Sequence, residues 1–114
     1  MYLFKSNKPN KKFAAFFPRS KKVIHFGGAG YRDFTLISDK NSVHYLSSKK
    51  DRDKVKEAYE TRHSKDNLTE PESAGSLSMF VLWSSPTLKG GINQYAKTFT
   101  YKVVDKTATK YNTP

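Results

Sequence analysis

Apolar residues in this chain come in short bursts separated by polar, lysine-rich intervals, and the bursts change period part-way along. Phe13 to Phe17 (FAAFF) is compact enough for a strand, and Pro18 ends it. Arg19-Ser20-Lys21-Lys22 is a polar turn, and Val23 to Phe26 reads as a second strand. The pattern predicts a β-hairpin, 12–17 with 22–26, closed by a loop of about four residues. Gly27-Gly28-Ala29-Gly30 then supplies a sharp corner, since glycine adopts positive φ without strain. Tyr31 to Ile37 fits either a third strand or one helical turn. Ser38 to Ser48 fits a loop, or a short strand carried by Val43, Tyr45 and Leu46.

Helical spacing takes over from Asp51 to His63. There Val55, Ala58, Tyr59 and Arg62 share a face, with Ser48 placed to cap it and Lys56–Glu60 at i,i+4. Thr69 and Glu72, with Pro71 between them, form a second capping-box pattern. The pattern predicts that a helix starts there and runs through Ala74, Leu77, Met79, Phe80, Val81, Leu82 and Trp83 to Ser84-Ser85-Pro86. Thr87 to Lys97 is expected to form a third helix, weakened by Gly90-Gly91. Thr98 to Val104 alternates as a strand would.

These elements predict an α+β fold, an N-terminal β-hairpin packed on two or three helices with basic extended termini. Trp83, Phe80, Leu77, Tyr59, Val55, Ile24 and Phe26 are expected in the core. The 114 residues make a single small domain, 13–104, with a basic extended arm at 1–12 and a flexible tail at 105–114.

Charge sharpens this division. Residues 1–32 carry eight Lys/Arg and no acid, 33–72 carry eight bases against nine acids, and 73–114 carry five bases against one acid. A net charge of +11 concentrated at the two ends fits an acidic partner, whether nucleic acid, an anionic membrane or an acidic protein surface, and equally fits a role in solubility alone. There is no cysteine, hence no disulfide and no thiolate metal site. No apolar run approaches the ~18 residues of a membrane span.

The candidate chemistry is sparse. His25, His44 and His63 show no metal-ligand spacing, and no acid, base and nucleophile come together, so no catalytic residue, metal or cofactor is assigned. His25 is expected on the less buried side of its strand or hydrogen-bonded within the fold. The glycine cluster lacks the Lys-Ser/Thr of a phosphate loop. It reads as a structural corner fastened by His25, Gly27, Gly28, Gly30, Tyr31 and Asp33. Partner or anion contacts are expected from Lys5, Lys8, Lys11, Lys12, Arg19, Lys21, Lys22 and Arg32. Tyr2, Phe4 and Phe13, interleaved with these cations, suit either base stacking or anchoring on a neighbouring protein.

An ordered set of short pieces also carries a family resemblance. The pieces are KKVIHFG at 21–27, Gly30-Tyr31-x-Asp33-Phe34-Thr35, Tyr59-x-x-Arg62-His63, Asn67-Leu68-Thr69-x-Pro71-x-Ser73-Ala74-Gly75, and Leu82-Trp83-x-x-Pro86-Thr87-Leu88. Together, over about residues 12–97, they resemble a small, basic, functionally uncharacterised family of nucleocytoplasmic large DNA viruses. The chain departs from that pattern in a longer loop after Leu36, in Ser76 to Met79, and at Gly90-Gly91. The resemblance implies a viral protein of the virion, with no catalytic residues to transfer, and the residues themselves give no expectation of an enzyme. The expectation is a minor capsid protein that bridges major capsid subunits. Its partners would be the major capsid protein, other minor capsid proteins and viral DNA, in the virion and in the cytoplasmic virus factory of the host. The alternative is a basic nucleic-acid-binding protein packaged with the genome.

Overall fold

The computed structural model describes residues 1–112. The fold is α+β, as the pattern predicts, but the sheet is larger than a hairpin. Four strands, β1 (Tyr2–Lys5), β2 (Lys11–Phe17), β3 (Lys22–Gly28) and β4 (Val104–Lys110), pair in the order β3-β2-β1-β4. β2 pairs antiparallel with both β1 and β3, whereas β1 and β4 are parallel.

The hairpin forms where its two apolar bursts place it, with Phe13 opposite Phe26 and Ala15 opposite Ile24. The basic arm and the flexible tail are corrected. Residues 2–5 are an inner strand with Leu3 fully buried, and 104–110 are an edge strand alongside it. Leu3 pairs with Ala15, so it shares the inward face of the hairpin. Thr113 and Pro114, the end of the expected tail, lie outside the described residues.

The corner after β3 leads into one helical turn, α1 (Phe34–Ile37), rather than a strand. The next helix, α2 (Lys49–Arg62), starts at the Ser48 cap, whose side chain accepts from the Asp51 N–H. The Thr69/Glu72 helix start is also corrected: the capping residue is Ser73, and α3 runs Ala74–Leu77. Competing partners explain the shift. Thr69 bonds Asn67 instead, Glu72 reaches Ser20 and Tyr101, and the Pro71 carbonyl accepts from the Tyr95 hydroxyl at 2.7 Å.

α3 widens into a π-helical segment, Ser78–Trp83, that buries Met79, Val81, Leu82 and Trp83. The last helix, α4 (Leu88–Phe99), continues beyond the predicted boundary. Thr100 ends it in the left-handed region, so the alternation read at 98–104 is not a strand. Gly90-Gly91 is a packing device rather than a weak point. A Cβ on Gly91 would sit 2.0 Å from the Val81 carbonyl oxygen, and one on Gly90 would sit 2.1 Å from Ser85 Oγ. Only glycine lets the backbone of α4 lie on the π-helical segment.

The core is the seam between these helices and one face of the sheet. Leu3, Phe17, Phe26, Ile37, Leu77 and Tyr95 are among its most buried members. Trp83 is buried as expected. Phe80, Tyr59, Val55 and Ile24 pack around the edge of the core, half-buried. Tyr59 and Trp83 stack face to face, 4.1 Å apart and 6° from parallel.

Two expectations follow from this packing. Gly91→Ala should destabilise the protein by about 1–3 kcal/mol through overpacking. Gly75→Ala, where nothing lies within 4 Å, should be neutral or stabilising by up to roughly 1 kcal/mol. Urea titration of the two variants checks the contrast. Burial also raises the pKa of Tyr59 to about 12 and pushes Tyr95 higher still, with nearby acids adding to both. The unfolded chain therefore ionises first as pH rises. Stability from these rings should be intact below pH 10 and lost progressively above it, which melting curves from pH 8 to 12 would show.

Candidate functional site

Strand register sorts the side chains of the sheet into two faces. Leu3, Phe13, Ala15, Phe17, Ile24 and Phe26 look toward the helices and join the core. The opposite face carries Tyr2, Phe4, Ala14, Phe16, Val23 and His25, with Val104 and Lys106 added by β4. The large side chains of this second face are absent from the core cluster and remain half-buried.

The rings on the open face lean on one another. Phe4 meets Tyr111 edge-on at 5.5 Å, Tyr2 lies 6.4 Å from Phe16, and His25 lies 6.2 Å from Tyr111. Beneath them Ala14 is fully covered. A methyl group at that position leaves room for the larger rings around it.

His25 belongs to this face, as expected of the less buried side, and not to the glycine corner. Its Nδ1 is 2.7 Å from Ser6 Oγ, and Ser6 also accepts from the Lys8 N–H. Desolvation, then Lys8 and Lys11, hold the imidazole pKa below its ordinary 6.5. His25 therefore ties the β1–β2 turn to β3 as a neutral ring.

The corner itself is fastened differently from the prediction. Gly27 and Gly30 take positive φ of 77° and 84°. Lys12 Nζ donates to Asp33 Oδ2 at 2.7 Å and to the Tyr31 carbonyl at 2.5 Å. Asp33 is 2% exposed and also accepts from Leu36 N and Thr35 Oγ1, which caps α1. Lys12, expected as a partner contact, is thus a partly buried fastener. Tyr31 contributes its backbone, while its ring is 75% exposed.

The glycine cluster offers little to an anion. The Ala29 N–H bonds the Asn10 carbonyl, and the Tyr31 N–H bonds the Gly28 carbonyl. Beside it lies a cleft of about 310 Å³ lined by Gly27, Gly28, Arg32, Tyr59, Arg62 and Trp83. Arg62 sits over the Tyr59 ring at 6.0 Å, and His63 bonds Asp66 at the end of α2.

The remaining expected cations are spread around the sheet, and all but Lys11 are exposed. Lys5 lies in β1 and Lys8 in the β1–β2 turn; Arg19 and Lys21 lie in the β2–β3 turn, with Lys22 opening β3. Lys11 is half-buried at the start of β2, and Arg32 is apart from these at the corner. Lys106, Lys110, Phe16 and Tyr111 were not singled out by the sequence. The signal for Phe16 was present: FAAFF is apolar on both faces of its strand, which a one-sided sheet does not require. Among the described residues no group of His, Asp or Glu is arranged to hold a metal, and no helix is long and apolar enough to cross a membrane.

Residues 2–42 match the model of a family of unknown function (DUF5754). The matched stretch contains β1, β2, β3, the glycine corner and α1, and so three of the four strands that build the open face. No curated protein and no solved structure matches the chain.

Replacing Asp33 by Ala should cost about 3 kcal/mol, because it strands a largely buried Lys12 and removes the α1 cap. Lys12→Met should cost less, since Asp33 keeps its bonds to Thr35 and Leu36. Urea midpoints of the two variants give that order.

Proposed function

We propose that this chain is a small non-catalytic component of a large DNA virus particle that binds nucleic acid through the open face of its sheet. The observation that carries this reading is the uncovered aromatic face, framed by cations. Lys106 is opposite Phe4, Lys8 and Lys11 act on the charge of His25, and the only acid of the four strands is Asp105. Asp105 pairs with Leu3, on the opposite side from Phe4, and its carboxylate is occupied by Thr107. A field of one sign over a flat surface draws polyanions. The viral context rests on the resemblance over residues 12–97. On that reading the protein belongs in the virion and, during assembly, in the host cytoplasm.

A second reading, the minor capsid protein, has its own support. A groove of about 600 Å³ runs between Phe17, Pro18, Pro71, Phe99 and Tyr101 on the far side of the molecule. An aromatic or proline anchor from a capsid subunit would suit that groove.

Particle fractionation separates the two. The genome-side reading expects the protein with the nucleoprotein core after mild disruption; recovery with empty shells favours the capsid reading. Binding measured against salt is the companion test. Lys8→Gln with Lys11→Gln should flatten the slope of log K against log salt by roughly 2, one for each phosphate that is no longer neutralised. Deleting residues 1–12 is unsuitable, because it removes an inner strand.

A further inference from the structure

We infer that the open face takes single-stranded nucleic acid, with bases stacking on Phe4, Tyr111, Tyr2 and Phe16; this rests on the nucleic-acid reading above. Three observations carry it. First, the rings form two clusters on adjacent strands of one face, Tyr2 with Phe16 at 6.4 Å, and Tyr111 with Phe4 at 5.5 Å and with His25 at 6.2 Å. That surface suits splayed-out bases, which offer planar faces; bases in a duplex are stacked on one another and present only their edges. Second, the helices pack on the other side of the sheet, so among the described residues no helix stands on this face to enter a major groove.

Third, Lys8, Lys11 and Lys106 sit at the rim of the platform. Lys8 and Lys11 are near enough to His25 to act on its charge, and Lys106 pairs with Phe4. The aliphatic residues of the face, Val23 and Val104, are at its margin. A protein partner would have to be both acidic and able to cover several rings, whereas a single strand meets both demands at every nucleotide.

The experiment is fluorescence anisotropy of the full chain with a labelled twelve-nucleotide oligothymidine and with a twelve-base-pair duplex, at moderate salt. The single strand should bind about ten-fold or more tightly than the duplex. Phe4→Leu and Tyr111→Leu keep apolar bulk but remove the π-face, and each should weaken single-strand binding by about five-fold or more. Both should leave the far-ultraviolet circular dichroism unchanged. Phe16→Leu is a further variant should either of these fail to fold. Gly75→Ala, away from the face, should bind as the parent does. Equal binding of both probes, insensitive to these substitutions, overturns stacking while leaving a nucleic-acid role standing. No binding to either probe removes both and favours the shell reading.

Discussion

Burial of Leu3 between β2 and β4 is the constraint on which the molecule depends. A four-residue strand in a lysine-rich stretch holds the two halves of the sheet together. Its inward residue, Leu3, is fully buried in the core. Its outward residues, Tyr2 and Phe4, are the centre of the open face. The alternation of side chains along an extended backbone thus couples the core to the candidate site. A register slip of one residue would bury Tyr2 and Phe4 and expose Leu3.

The helical half is organised by a close backbone approach. The π-helical segment carries the densest apolar run of the chain, and α4 reaches it because Gly91 has no side chain. This seam and the Tyr59–Trp83 stack keep the helices on one side of the sheet and leave the other uncovered. The partly buried Lys12–Asp33 pair performs the corresponding task at the corner. It fixes how β3 turns into α1 with the same residue that caps the helix.

Elements with strong local signals were legible in the sequence. FAAFF and VIHF form the hairpin, the glycines turn where positive φ is needed, and Ser48 caps α2. Elements defined by distant pairing were not. Val104–Lys110 is mostly polar, since it is an edge strand with exposed side chains, and nothing local distinguishes it from a tail. Its strand character comes from β1. The Thr69/Glu72 pattern misled because tertiary partners claimed those groups, and Ser73 took over the cap. Of the candidate site, the ring-bearing residues Tyr2 and Phe4 were visible. Their union with Phe16 and Tyr111 depends on register, which composition does not encode.

Parallel pairing of β1 with β4 has a consequence for how the protein is made. The Met1 amine donates to the Lys102 carbonyl across 101 residues of sequence. During synthesis β1 emerges well before β4, and its outer edge stays unpaired until β4 follows. Such a high-contact-order closure is slow and leaves a strand edge available to other chains. A nascent copy can therefore recruit the late strand of a neighbour in place of its own, so the same pairing that completes the monomer is also a route to strand-exchanged dimers at high local concentration.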